Sequence, residues 1–72
     1  SSRANEIVAL NDALVELESL DQRKGRVVEL KFFGGLTLDE IAKILGVTRE
    51  TIKRDWKFSR TWLLDELSQR SG

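Results

Sequence analysis

The sequence predicts an all-α fold: a four-helix domain whose C-terminal half is a helix-turn-helix without winged elements. Three observations predict it. The chain has no proline, its apolar residues recur at helical spacing almost throughout, and no run of alternating β-branched residues is long enough for a sheet. A length of 72 residues indicates one small domain. Because cysteine is absent, close packing must supply the stability that disulfides or thiolate metal sites would otherwise give.

The first predicted helix runs from about Asn5 to Leu20. Apolar residues recur along it at steps of three and four, which places them in one stripe on a helix surface. We expect this stripe to pack into the core, and its members are Ile7, Leu10, Leu14 and Leu17.

The second predicted helix starts after Asp21, a suitable N-cap, and runs to Phe33. Val27 and Leu30 are expected to face inward, and the pair Gly34-Gly35 ends the helix because glycine accepts a left-handed conformation. The pair Phe32-Phe33 is also expected in the core. Gly25 argues against a stable helix here, since glycine costs about 1 kcal/mol relative to alanine in a helix interior.

The third predicted helix is short and begins with a capping box. Thr37 is the N-cap, and Glu40 lies three residues later, where its side chain can reach back to the N-cap backbone. Gly46 ends the helix and permits a sharp reversal, and Val47 can fill the corner of the core. The residues expected to face the core are Ile41, Ala42 and Leu45.

The fourth predicted helix begins after Thr48, another good N-cap, and runs to about Leu67, with a fraying polar tail at 68–72. On a helical wheel at about 100° per residue, one direction is the core face and the opposite one is polar and mostly basic. The core face holds Ile52, Trp56, Ser59 and Leu63, and the outward face holds Glu50, Lys53, Arg54, Lys57 and Thr61.

The turn and the segregated charges together indicate DNA binding. Two helices joined by about three residues with a glycine at the turn form a helix-turn-helix, here at 37–60. In such modules the second helix enters the major groove. Formal net charge is zero, yet residues 49–60 hold five basic and two acidic residues, a balance of +3. Arg49 and Arg60 lie at the margin of the outward face, where phosphates would be. The alternative is a solvated helix face supported by an (i, i+4) pair between Glu50 and Arg54.

Composition argues against an enzyme and against a membrane protein. Histidine and cysteine are absent, and there is no phosphate-binding glycine loop and no nucleophile–base set. The adjacent pairs Asp39-Glu40 and Asp65-Glu66 point about 100° apart on a helix and cannot flank one substrate. We expect no catalytic residue, metal, cofactor or small-molecule ligand. No apolar run reaches about 18 residues and no signal-peptide pattern opens the chain, so a cytoplasmic location is expected.

The stretch "RVVELKFFGGLTLDEIAKILGVTRETIKRDWKFSRTWLLDEL" resembles region 4 of bacterial RNA polymerase sigma factors, most closely the extracytoplasmic-function (ECF) group. The resemblance covers residues 20–67, and the first helix fits the helix that precedes it in the family. The matching motifs are Gly35-Leu36-Thr37, Asp39-Glu40, Ile41-Ala42, Leu45-Gly46-Val47-Thr48 and Thr51-Ile52-Lys53.

The resemblance implies a domain that binds the −35 promoter element as duplex DNA through the fourth helix. It also implies contact with the flap of the polymerase β subunit and an anti-sigma protein as a partner. Region 2, which would bind the −10 element, is absent from these residues, so a fragment of a longer sigma factor is expected, working at the nucleoid. The implied base-facing residues are Glu50, Lys53, Arg54 and Lys57, and the implied phosphate contacts are Thr37, Arg49, Thr51 and Arg60.

Two departures from the family pattern leave the base preference open. Many members carry Ser-Arg where this chain has Arg54-Asp55, and many carry arginine near the position of Phe58. Two other functions also stay open. A LuxR-type output domain would share "EIAKILGVTRETIK" almost equally well. A helical protein-docking module without DNA binding would use Phe58 and Trp62 as an exposed patch, although packing of both aromatics against the first helix is expected.

Overall fold

The structure is a computed structural model that describes residues 2–71, with the side chains of Ser2 and Ser71 left out. Four α-helices follow one another in the described part of the chain, as predicted: α1 (Ser2–Leu20), α2 (Gln22–Val28), α3 (Leu38–Leu45) and α4 (Arg49–Ser71). A π-helical segment, Glu29–Phe33, continues α2. None of the described helices is long and apolar enough to cross a membrane.

The core consists of two apolar clusters that meet at Trp56. The adjacent residues Val27 and Val28 of α2 are both fully buried and face different clusters. The first cluster lies between α1, α2 and α4, and its buried members are Ala13, Leu14, Leu17, Val28 and Leu63. The second cluster holds the helix-turn-helix together, and its buried members are Val27, Ile41, Ala42 and Ile52.

The prediction that the apolar stripe of α1 packs into the core is only partly correct. Leu14 and Leu17 are buried and Leu10 packs beside them, as predicted. Ile7, however, is 64% exposed. It lies at the edge of a cleft between α1 and the π-helical segment, so no side chain closes over it. Periodicity identifies one side of a helix, but a residue on that side is buried only where another part of the chain packs against the helix at the same level along its axis.

The prediction that Phe32 and Phe33 enter the core is wrong, since both are more than 60% exposed. The segment that carries them is π-helical, and Gly34 donates a backbone hydrogen bond to the Glu29 carbonyl five residues earlier, at 3.1 Å. A π turn contains more residues than an α turn, which rotates the following side chains away from the face that α2 buries. The Phe32 ring still contacts Trp56 edge-on, with centroids 5.3 Å apart.

Gly25 lies at a close approach between α1 and α2. It is buried, and a Cβ atom built on it would lie 2.2 Å from Glu18 Cγ and 2.9 Å from Glu18 Cα. A side chain at this position would therefore push the two helices apart. The low helix propensity of glycine is offset here by close packing, and α2 begins as predicted with Asp21 accepting from the backbone N–H of Lys24 at 3.1 Å.

The C-terminal tail, which is predicted to fray, is helical within the described residues. α4 continues past the predicted end at Leu67 to Ser71, whereas Gly72 lies outside the described residues. Arg70 donates to Glu16 of α1 at 2.6 Å and also lies 3.5 Å from Glu66. These ion pairs hold the last turns of α4 beside α1, a contact between residues too far apart in sequence for local pattern to indicate.

Candidate nucleic-acid interface

The helix-turn-helix has the caps that its sequence predicts. The Thr37 hydroxyl accepts from the Glu40 backbone N–H at 3.2 Å, and the Glu40 carboxylate accepts from the Thr37 backbone N–H at 2.9 Å. These hydrogen bonds hold the pKa of Glu40 below its ordinary value, with the backbone N–H of Thr37 as the main cause. The capping box thus gives hydrogen-bond partners to two of the backbone N–H groups that the start of a helix leaves without one, which defines where α3 begins.

The turn between α3 and α4 depends on Gly46. Its φ of 69° and ψ of 32° are left-handed, a conformation that costs glycine no steric strain. The Val47 backbone N–H bonds back to the Ala42 carbonyl at 3.1 Å. Thr48 then caps α4 by accepting from the Thr51 backbone N–H at 3.2 Å. The chain thus reverses in three residues, and Ile52 packs directly against Ile41 and Ala42 in the second cluster.

The two faces of α4 lie as the helical wheel predicts. Ile52, Ser59 and Leu63 are buried and Trp56 is partly buried against both clusters. The opposite face is open to solvent, and its residues are Glu50, Lys53, Arg54, Lys57 and Thr61. The exposure of this face is therefore confirmed, and contact with DNA bases stays a prediction.

Three cationic side chains on this face form no ion pair with a described residue. Within residues 2–71, Lys53, Arg54 and Lys57 make no ion pair, and the (i, i+4) pair between Glu50 and Arg54 does not form. Unpaired guanidinium and ammonium groups on one side of a helix can approach base edges without first breaking an intramolecular bond. The solvated-helix alternative invoked that ion pair as support for α4, and the structure does not contain it.

The four residues predicted to contact phosphates differ in the intramolecular ion pairs and hydrogen bonds that their side chains already make. Arg60 is exposed and makes no ion pair with a described residue. Arg49 Nε lies 3.0 Å from Asp39 Oδ1, with both side chains more than half exposed. The Thr51 hydroxyl is hydrogen-bonded to the Thr48 hydroxyl at 2.8 Å, and the Thr37 hydroxyl is used in the capping box. Arg49 would therefore have to share its charge with Asp39 in any phosphate contact, and contact with phosphate stays a prediction for all four residues.

The pair Phe58 and Trp62 was expected to pack against α1, and the two differ. Trp62 packs partly buried against the first cluster, as predicted. Phe58 lines a recess with Leu17 and Leu20 of α1, as predicted, but it is 53% exposed. Its ring is covered on one side by Lys24, whose Nζ lies 5.3 Å from the ring centroid, a cation–π distance.

Asp55 is the residue of this helix that sequence reasoning missed. It is only 4% exposed, and its carboxylate accepts from Arg23 Nε at 2.6 Å and from Arg23 Nη2 at 3.2 Å. The hydrogen bond to Asp55 raises the pKa of Arg23 above its ordinary value. A signal was present in the sequence, because Asp55 lies three residues after Ile52 and four before Ser59, both on the core face.

The ECF sigma factor family model matches residues 1–69, whereas neither the curated proteins nor the solved structures give a match. The family match supports a sigma factor over a LuxR-type output domain. Sigma factors act in promoter recognition and transcription initiation together with RNA polymerase, and they are not a class of enzymes. This chain, which matches the region 4 domain, belongs to the ECF sigma factor family.

Proposed function

We propose that this domain binds the −35 promoter element as duplex DNA, with the first turns of α4 in the major groove. The observation that carries the proposal is the face of α4 with three unpaired cations, Lys53, Arg54 and Lys57. In this role the domain is region 4 of a longer sigma factor that works at the nucleoid in the cytoplasm, and the −10 element is bound by another part of that factor.

Each side chain on the face has a chemical role in the proposal. Arg54, Lys53 and Lys57 donate to guanine O6 and N7, a contact that discriminates by about 1–3 kcal/mol against the wrong base when it is bidentate. Glu50 would be repelled by phosphates unless it accepts from a cytosine amino group, so it favours a cytosine in the site. Phosphate contacts from Thr37, Arg49, Thr51 and Arg60 fix the register of the domain but carry no sequence information directly.

The domain is expected to need RNA polymerase for tight binding to DNA. Its formal net charge is zero, which limits non-specific attraction to DNA, and one module contacts few base pairs. Tethering to the polymerase converts DNA binding into an intramolecular step with a high effective concentration. An anti-sigma protein would inhibit the factor by covering either the polymerase contact or the outward face of α4.

We propose that the polymerase contact is made in the cleft between α1 and the π-helical segment, which would take the flap of the β subunit. The cleft measures about 770 Å³, is lined mainly by apolar side chains and includes no residue of α4. Three lining residues, Ile7, Val15 and Phe33, are more than 60% exposed. A partner in this cleft would cover them and leave the basic face free for DNA. We expect Val15→Lys to weaken binding of an isolated flap fragment, while Leu64→Lys, at an exposed apolar site outside the cleft, should not.

The experiment that tests DNA recognition starts from a randomised duplex pool. Duplexes selected by the wild-type domain would be measured by fluorescence anisotropy at two salt concentrations, against scrambled duplexes. Arg54→Ala should lower the preference for the selected sequence. Arg60→Ala should weaken binding to all duplexes and reduce the salt slope, which is the slope of the logarithm of affinity against the logarithm of salt concentration, by about one in magnitude. If both substitutions act uniformly on all sequences, the base-facing assignment is wrong. If no duplex binds even at low salt, where the electrostatic part of DNA binding is strongest, the proposed DNA recognition by the free domain fails and the result favours a protein-docking module.

A further inference from the structure

Asp55 places a carboxylate inside the contact between α2 and the recognition helix α4. Both oxygens accept from the Arg23 guanidinium, at 2.6 Å and 3.2 Å, and Lys24 Nζ lies 3.6 Å from Oδ1. Lys24 is itself held by Asp21, the N-cap of α2, at 2.9 Å. The start of α2 and the second turn of α4 are therefore joined by a network of charged groups, all within the described residues.

A bidentate ion pair such as Arg23–Asp55 restricts the relative distance and orientation of its two helices more than it raises the free energy of unfolding. The Asp55 side chain is 5% exposed, whereas that of Arg23 is 46% exposed. Replacing a buried ion pair by apolar residues of similar volume is often neutral or stabilising, and exposed pairs contribute little, so stability alone is a poor reason for a carboxylate at this position. The apolar contacts between α2 and α4, such as that of Val27 with Ile52, are non-directional. The planar guanidinium fork, in contrast, fixes both distance and orientation.

The consequence of that constraint appears one residue away. Arg54 precedes Asp55 and lies about 100° around the helix from it, with a rise of about 1.5 Å. Lys53 lies two residues before Asp55, and Lys57 lies two residues after it. When Asp55 is held inward against Arg23, the rotation and the axial position of these three cations are fixed with it.

We propose that the Arg23–Asp55 ion pair is a positioning device that sets the rotation and register of the recognition helix, and thereby determines which base sequence the domain selects. The inference rests on the proposed function, because it concerns how α4 meets the groove. Arg23 and Asp55 are positioning residues here, since neither belongs to the outward face that contacts bases.

The test compares variants that keep or remove the fork. The double variant Arg23→Met/Asp55→Leu replaces the ion pair with apolar groups, Arg23→Lys keeps the charge without the fork, and Asp55→Asn removes the charge with little change of shape. The matched control is Glu16→Leu/Arg70→Met, which removes another ion pair between α4 and a different helix, here α1, at 2.6 Å. Circular dichroism first establishes that each variant is folded.

Two readouts follow, only one of which needs DNA. The first is the ratio of Kd values for scrambled and selected duplexes. The second is the angle between α2 and α4, obtained from backbone residual dipolar couplings of the free domain. We expect the double variant and Arg23→Lys to lose about tenfold in the Kd ratio, comparable to one base contact, with an unchanged salt slope and a changed angle. The control should keep both the ratio and the angle.

The outcomes separate this inference from the function on which it rests. A folded double variant with the wild-type ratio and angle would overturn the positioning role. If the double variant does not fold, Arg23→Lys and Asp55→Asn decide by the same criteria. If the wild-type domain selects no duplex, the proposed function fails, and the angle between the helices alone decides whether the ion pair orients α4.

Discussion

The substitution Ser59→Ala should stabilise the domain. Ser59 is fully buried on the core face of α4, and its hydroxyl oxygen has no hydrogen-bond partner among the described residues. A buried polar group without a partner costs about 1–3 kcal/mol, and alanine adds up to about 0.5 kcal/mol of helix propensity over serine. Because removing the oxygen leaves a small void, we expect a net rise of about 1–2 kcal/mol in the free energy of unfolding.

The assay is urea unfolding followed by tryptophan fluorescence, together with a thermal melt. For a domain of this size, each kcal/mol should raise Tm by about 4–8 °C. Ser68→Ala is the matched control, because Ser68 lies on the same helix but is exposed, so only its helix propensity changes. If Ser59→Ala stabilises no more than Ser68→Ala, the Ser59 hydroxyl is satisfied in solution and the reasoning is refuted.

Three further predictions concern stability, affinity and pH. Gly25→Ala should destabilise by about 1–3 kcal/mol in urea unfolding despite its better helix propensity, because the new Cβ would meet the backbone of α1; a gain in stability would contradict the close approach. Asp39→Asn should release Arg49 from its ion pair and make it available to a phosphate. In anisotropy measurements the salt slope should then steepen by about one, while the Kd ratio between sequences stays the same. An unchanged slope would show that Arg49 is not near DNA. The pKa of Asp21 is lowered chiefly by its side-chain hydrogen bond with Lys24, and that of Glu40 by the Thr37 backbone N–H. Depressed pKa values stabilise the fold above the unfolded-state values, so the free energy of unfolding should fall below about pH 4, and Asp21→Asn/Glu40→Gln should flatten that fall.

Local sequence signals predicted the parts of the fold that depend on neighbouring residues. The capping box at Thr37, the N-caps at Asp21 and Thr48 and the reversal at Gly46 each involve groups within a few residues of one another. The outward face of α4 was predicted for the same reason, since helical periodicity fixes which side chains lie opposite Ile52. These features needed no knowledge of the tertiary structure.

Features that depend on distant residues were missed. The exposure of Ile7 and Phe33 follows from the cleft between α1 and the π-helical segment, and a π turn leaves no clear mark in the sequence. The tolerance of Gly25 depends on Glu18 of another helix. The partner of Asp55 lies 32 residues away, so its burial could be suspected from the wheel, but its ion pair with Arg23 could not be identified.

The measurement that tests the central claim most directly compares two triple variants of equal charge change in anisotropy. Lys53→Ala/Arg54→Ala/Lys57→Ala removes the cations of the outward face of α4. Arg3→Ala/Arg26→Ala/Lys31→Ala removes three cations outside the helix-turn-helix. Recognition by α4 predicts that the first triple brings the Kd ratio between scrambled and selected duplexes close to one, while the second keeps the wild-type ratio. Equal effects of both triples on that ratio, or a wild-type ratio in the first, would contradict recognition by this helix.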